Sequence, residues 1–229
     1  TLSPAMQNAA FQALGAGYRY LAFRVRAEDF EHAMEGLAAL GAVGTNITVP
    51  HKERAFRWAR RLDPSASRTG AVNTVLFSEE GGTGYNTDVA GIRTALAALS
   101  PRRDGALILG AGGAARAAVC AMQDEGFSHI AIMNRTRERA EKLQAQLFPA
   151  KSGKLPTCEI LSFEETPSFA PDLLVNTTSL GMHDTPWPEE LLDTIVSLAK
   201  GGVVLDLVYA RGRETHLCDR AQQSGIPSV

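Results

Sequence analysis

The sequence predicts an α/β protein built as two domains, the second a doubly wound parallel sheet. Three observations carry this reading. The stretches "ALILG", "HIAIMN", "CEIL", "DLLVNTT" and "GVVLDLVY" are short and mostly apolar, as strands buried on both faces must be. Most of the gaps between them have helical spacing, over Ala114–Gln123, Arg137–Leu147 and Glu189–Ala199. Buried strands alternating with helices wind a parallel sheet. Finally, the pattern is interrupted at Ser100-Pro101, followed by two arginines, which divides the chain into residues 1–99 and 100–229.

The first half is read element by element. In "TLSPAMQNAAFQALG", Ser3 is the expected N-cap, Pro4 the first helical residue and Gly15 the stop. "YRYLAFRV" alternates like a strand from Tyr18 to Val25, and "EDFEHAMEGLAALG" has helical spacing ending at Gly41. "TNITV" reads as a strand stopped by Pro50, and "HKERAFRWARR" as a helix. "AVNTVLF" and "GTGYNTD" read as a hairpin joined through Gly81-Gly82, and "DVAGIRTALAAL" as a helix. The charges of "ARRLDPSASR" are expected on a solvated helix face and turn.

Composition narrows the function classes. The chain has 229 residues, of which 45% are hydrophobic and 21% charged, with a net charge of −2. Nothing there calls for a nucleic acid or a membrane surface as partner. No apolar run approaches the roughly 18 residues of a membrane span. The three cysteines, Cys120, Cys158 and Cys218, are widely spaced and odd in number, which suits a reducing cytoplasm better than a disulfide framework or a zinc site. The chain shows no secretory signal, and because it begins at Thr1 rather than methionine, a missing upstream segment is expected.

"LILGAGGAARAAV" places Gly110, Gly112 and Ala115 in G-x-G-x-x-A spacing between a strand and a helix, the Rossmann phosphate turn. Gly110 permits the tight turn, Gly112 lets the backbone approach a pyrophosphate, and Ala115 lets the helix pack on the sheet. The helix start offers unsatisfied N–H groups to the phosphates. Some such turns bind nothing; the flanking strand and helix favour a dinucleotide here. An NAD site usually has a carboxylate at the end of the next strand, about 20 residues on. This chain has "NRTRER" instead, so Arg135 and Arg139 are placed to bracket a 2′-phosphate, favouring NADP(H). The alternative is that these arginines only solvate a helix start.

Lys52 follows Pro50, where it is either a solvated helix-start residue or a proton-transfer group. A lysine exchanging protons near neutral pH needs tuning by burial and neighbours. "GYNTD" supplies Asp88, which could hold the ammonium in position or simply cap a helix. Asn73 alone reads as a turn residue. Spacing does not show that these residues converge.

"TLSPAMQNAAF", "TNITVPHKE", "GAVNTV", "GYNTD", "GAGGAARA", "NRT" and "NTTSLGM" together resemble the shikimate dehydrogenase family in order and interval, from Thr1 to about Gly225. The resemblance implies NADP-dependent, reversible reduction of 3-dehydroshikimate to shikimate in aromatic amino acid biosynthesis, the chorismate pathway. It implies a substrate domain over 1–99 facing an NADP-binding Rossmann domain over 100–229. Lys52 and Asp88 match the catalytic pair. Thr1 and Ser3 match the hydroxyls that bind the substrate carboxylate, and Asn46, Thr48 and Asn73 those that hold ring hydroxyls. Tyr209 falls near nicotinamide and substrate. Gly110, Ala111, Gly112, Gly113, Ala114 and Ala115, with Asn134, Arg135, Thr136 and Arg139, match the NADP elements. Thr177, Thr178 and Ser179 match the cofactor-side loop.

The resemblance also implies a strand before Thr1 and a final helix carrying a substrate-binding glutamine, for which Gln222 and Gln223 come too early. "YARGRET" is longer by one residue than the usual tyrosine-to-threonine spacing. His32, His51, His129, His183 and His216 lack ligand spacing, so no metal is expected. Trp58 and Trp187 read as packing residues. A small-molecule substrate, a cytoplasmic location and a monomer or homodimer are expected. Two rivals remain: a quinate/shikimate dehydrogenase of broader specificity, and an NADP-binding regulator that keeps the fold without turnover.

Overall fold

The computed structural model describes residues 1–149, 155–182, 185–209 and 214–229. It divides into two compact units, Thr1–Ala42 and Val43–Val229. The first holds α1 (Ser3–Ala13) and α2 (Phe30–Ala39), with a short 3-10 turn before α2. Pro4 lies in the first turn of α1, but Ser3 is already helical and Leu2 holds the cap position. Ser3 therefore does not cap the helix; its own N–H donates to Thr1 Oγ1 at 3.2 Å. Gly15 and Gly41 end the two helices with φ of +64° and +74°, a backbone open to glycine at little cost. Tyr18–Val25 is not a strand. Alternation needs a ladder to become a strand, and Tyr20 instead exchanges two hydrogen bonds with the Asn8 side chain, at 2.8 and 2.9 Å.

The second unit opens with β1 (Gly44–Asn46), α3 (Lys52–Trp58), β2 (Arg61–Leu62), α4 (Pro64–Thr69), β3 (Thr74–Ser78), β4 (Gly81–Tyr85) and α5 (Asp88–Leu99). The strands form one sheet in the order β1-β3-β4-β2. The expected strand over "TNITV" is shorter, because after Ile47 donates to Asn73 O the chain turns, with His51 N–H closing onto Thr48 O. The expected helix "HKERAFRWARR" stops at Trp58, and Arg61 is drawn into a parallel pair with Thr83. "ARRLDPSASR" is thus a strand and a second helix rather than a solvated helix face. Asp63 caps that helix by accepting from Ser65 N–H at 2.9 Å, and Pro64 fills its first turn. The hairpin turns at Glu79-Glu80 instead of Gly81-Gly82, since Ser78 already pairs with Gly81. The glycines serve packing: a Cβ on Gly82 would lie 2.5 Å from the Trp58 ring.

The chain then runs β5 (Gly105–Leu109), α6 (Gly113–Asp124), β6 (His129–Met133), α7 (Arg137–Leu147), β7 (Thr157–Leu161), β8 (Leu173–Asn176), α8 (Glu189–Leu198), β9 (Val203–Asp206) and α9 (His216–Gln223). The strands form a wholly parallel sheet in the order β7-β6-β5-β8-β9. Chain progression is outward in both directions from β5, so β5 and β8 flank the switch point where such folds bind ligands. Alternation along β5 splits the core: Ala106 and Ile108 join Val119, Met122 and Ile132 on one face. Leu107 and Leu109 join Leu174, Ile195 and Leu217 on the other. Both faces are covered, which is why these strands read as apolar runs. A fully buried isoleucine such as Ile108 contributes about 1.5–3 kcal/mol of transfer free energy. Helix α9 is an element that the sequence reading leaves out; Thr215 caps it by accepting from Cys218 N–H at 3.3 Å.

Candidate active site

Two helix starts converge in the second unit. Lys52 is the first residue of α3 and Asp88 the first of α5. A helix start is favourable for a carboxylate and unfavourable for an ammonium, by a fraction of about 1 kcal/mol. Lys52 therefore gains from a partner, and its Nζ donates to Asp88 Oδ2 at 2.7 Å. The two side chains keep only 14% and 27% of their exposure. Asp88 is not a side-chain cap; its other oxygen accepts from Asn73 Nδ2 at 2.7 Å.

Asn73 extends the network. Its Oδ1 accepts from Thr87 N–H and from Thr74 Oγ1, each at 3.0 Å. Thr74 Oγ1 in turn accepts from Asn46 Nδ2 at 3.0 Å. Lys52, Asp88, Asn73 and Asn46 thus lie on one hydrogen-bonded chain, although sequence spacing does not bring them together. Asn73 is accordingly more than a turn residue. Thr48 is exposed in the turn that leads into α3. Thr1 and Ser3 belong to the first unit, where their hydroxyls pair at 2.9 Å. Tyr209 follows β9 and is 54% exposed.

Asn86 and Thr87 are not among the residues singled out from the sequence, although they stand in the same motif as Asp88. Asn86 is 3% exposed. Its Oδ1 accepts from Asp88 N–H at 3.0 Å, while its Nδ2 donates to Thr69 Oγ1 and Ala71 O. It fixes the start of α5, and with it the carboxylate. A short polar residue two places before a helical aspartate is the available signal.

At the switch point, Gly110 has a φ of +106°, and a Cβ there would meet Thr177 Oγ1 at 2.6 Å. Thr177 Oγ1 donates to Leu109 O at 2.6 Å, so the turn after β5 is held against the loop after β8. Thr178 is fixed by Asn176 Oδ1, which accepts from both its N–H and its hydroxyl, at 3.0 and 2.7 Å; Ser179 follows. Gly112 occupies the cap of α6, and a Cβ on it would meet no protein atom within 4 Å. Ala114 follows at the helix start, and Ala115 is fully buried against the sheet. After β6, Asn134 Nδ2 donates to Thr136 O at 2.7 Å, shaping the next turn. Arg137 is engaged by Glu141 and Glu165. Arg135 and Arg139 are exposed and make no side-chain hydrogen bond or ion pair among the described residues.

The phosphate-type turn and the lysine–carboxylate pair are neighbours: a Cβ on Gly113 would meet Lys52 Cδ at 3.0 Å. Of the histidines, His51 is buried at the start of α3 and His129 Nδ1 shares a hydrogen bond with Thr157 Oγ1. His32 and His216 are exposed on α2 and α9, and His183 lies outside the described residues. Trp58 packs edge-on against Phe77, and Trp187 is 4% exposed in the core, as packing residues should be.

A dinucleotide turn at a parallel-sheet switch point, with a hydrogen-bonded Lys–Asp pair beside it, defines the class as a nucleotide-dependent oxidoreductase. Comparison with known proteins gives the family. Residues 1–75 match the shikimate dehydrogenase substrate binding domain, and residues 95–164 match shikimate / quinate 5-dehydrogenase. A shikimate dehydrogenase (NADP(+)) of Methanosarcina acetivorans is 44% identical, over 100% of this chain and 82% of its own. The crystal structure of shikimate dehydrogenase from Aquifex aeolicus superposes with a TM-score of 0.82 at 36% identity, over 100% of this chain and 80% of that one. The shikimate 5-dehydrogenase of Thermus thermophilus, solved with NADP(H) and shikimate, gives 0.80 at 33% identity, over 100% and 82%. The chain belongs to the shikimate dehydrogenase family.

Proposed function

We propose that this chain catalyses the NADP-dependent, reversible reduction of 3-dehydroshikimate to shikimate, a step towards the aromatic amino acids. The observation that carries the reading is the half-buried Lys52–Asp88 pair packed beside the start of α6. Relatives named as NADP(+) shikimate dehydrogenases over the whole chain support it. Residues 1–99 are assigned to substrate and 100–229 to cofactor. The two family matches, and a separate sheet on either side of Ser100, support that division.

The residues fit an NADP(H) dinucleotide. The bare flank of Gly112 at the α6 start suits the pyrophosphate, and packing within the protein does not itself require that bareness. Arg135 and Arg139, with no protein partner to release among the described residues, suit a 2′-phosphate. When bound, the cofactor supplies the hydride. Lys52 gives a proton to the alkoxide forming at the ring ketone, directly or through a water, which balances the reduction to an alcohol. In the opposite direction, deprotonated Lys52 removes the hydroxyl proton. Asp88 keeps the ammonium in place, and Asn73 and Asn86 hold Asp88.

Asn46, Thr48 and Asn73 are assigned to ring hydroxyls, Thr1 and Ser3 to the carboxylate, and Tyr209 to the nicotinamide side. Thr177, Thr178 and Ser179 line the cofactor side, with Ala111 and Asn134 completing the turns. Three cysteines left free support a cytoplasmic reading, and no described helix is long and apolar enough to cross a membrane. The family match that spans shikimate and quinate keeps quinate as a second substrate. The deciding experiment follows NADPH and NADH oxidation with 3-dehydroshikimate and 3-dehydroquinate. Turnover confined to NADPH with 3-dehydroshikimate is expected; NADPH binding without turnover would favour a regulator.

A further inference from the structure

We infer that Gly113 is a positioning residue for Lys52: the missing side chain at 113 leaves the space in which the lysine stem lies. The inference rests on the reading of Lys52 as the proton-transfer group. Gly113 does not have a left-handed backbone, unlike Gly110, so an L side chain is conformationally allowed there. As the first residue of α6 it would gain from being alanine, a better helix former. A methyl group there would crowd Lys52. A Cβ at 113 would lie 3.0 Å from Lys52 Cδ, 3.1 Å from Lys52 Cβ and 3.6 Å from Ala71 Cβ.

The backbone around this contact has little room to give. Val72 N–H donates to Lys52 O at 2.9 Å, tying the start of α3 to the segment carrying Ala71, itself fully buried. One turn along α6, Arg116 is 6% exposed and its Nη1 donates to Thr69 O at 3.2 Å. From the other side, Arg68 Nη2 donates to Cys120 O at 3.1 Å. With both elements pinned, an added methyl would displace the lysine stem, whose Nζ is held 2.7 Å from Asp88. Neighbouring glycines thus have different tasks. Gly112 has open space beside its α-carbon, whereas Gly113 makes room for a side chain of α3.

Gly113→Ala is made in the native chain and in the Lys52→Gly chain, which lacks both close atoms of the lysine stem, and each protein is measured for NADPH affinity, steady-state turnover and thermal midpoint. In the native background, kcat should fall by about tenfold to hundredfold, the cost of small misplacement of a reacting group. NADPH affinity should change less than kcat. The thermal midpoint should fall in the native background and hold or rise in the Lys52→Gly background. If Gly113→Ala alone fails to fold, recovery of folding in the double variant supports the inference. A loss confined to NADPH affinity, or the same thermal loss in both backgrounds, would overturn it, as would failure of both to fold. If Lys52→Gly itself kept near-native turnover, the proton-transfer reading would fail, while the thermal comparison would still report the contact.

Discussion

Lys52 Nζ and Asp88 Oδ2 meet at 2.7 Å although 36 residues separate them in the chain. Asn73 holds the other carboxylate oxygen and Asn86 holds the Asp88 backbone, so the acceptor side of the pair is fixed from two directions. Loss of a positioned general acid costs about 10²–10⁴-fold in rate. Lys52→Ala should therefore lower kcat by that order while leaving NADPH affinity nearly unchanged. Asp88→Asn should act in the same direction but less, because it keeps an oxygen for Asn73 and offers the lysine no charge. Steady-state kinetics beside equilibrium NADPH titration checks both. Near-native turnover of Lys52→Ala would defeat the assignment.

Arg135 and Arg139 flank Arg137, and only Arg137 is occupied by carboxylates of its own protein among the described residues. A charge-assisted hydrogen bond contributes about 1.5–3 kcal/mol, or roughly tenfold to a hundredfold in affinity. Replacing Arg135 and Arg139 together by alanine should weaken NADPH by at least that factor and leave NADH nearly unchanged. Arg137→Ala should alter neither. Comparing kcat/KM for the two cofactors tests this, and an unchanged preference would remove the arginines from the site.

Legibility followed whether the signal was local. The parallel sheet could be read because β5, β6, β8 and β9 are buried on both faces, and Arg137–Leu147 begins and ends where its spacing says. The glycine turn was legible because backbone requirements act at fixed offsets. Tyr18–Val25 failed because alternation records an amphipathic ribbon and says nothing about a partner strand. Arg61-Leu62 failed because its pairing with Thr83 overrides a helical pattern. Asn86 stands in "YNTD" yet escapes notice there, since its importance lies in reaching Thr69 and Ala71. Lys52 and Asp88 could each be offered as a candidate from the sequence, but their pairing could be named only through resemblance. Their meeting depends on a four-stranded sheet whose order no local pattern states.

Asp206 ends β9 beneath the loops of the sheet's carboxyl end, and burial raises its carboxyl above the ordinary 3.8, partly offset by bonds from Thr215, Val208 and Asn176. The folded state therefore holds the proton more tightly than the unfolded one. As pH rises from about 3.8, the unfolded chain ionises first, so stability falls until the folded value is passed and stays lower above it. Asp206→Asn removes this titration, so its stability relative to the native chain should improve between acid and neutral pH. Asp206→Ala instead leaves three donors without their acceptor and should cost about 1–3 kcal/mol or more throughout. Urea unfolding across pH would check this; a native-to-Asn difference that ignores pH would contradict it.

The three cysteines offer a test of the core that does not depend on the reaction. Burial pushes Cys120 and Cys158 up to about 11 and raises Cys218 as well. A free thiol near 8.5 is a few per cent thiolate at neutral pH, whereas one near 11 is thiolate in about one molecule in ten thousand. Since only the thiolate is alkylated, the folded chain should take up iodoacetamide at least about a hundredfold more slowly than the chain in strong denaturant. Cys158 should react first in the folded state, because Cys120 and Cys218 are more deeply enclosed. Mass spectrometry of quenched time points reads each site separately. Rapid labelling of Cys120 in the native chain would mean that α6 does not pack on the sheet, and the placement of the glycine turn beside Lys52 would fall with it.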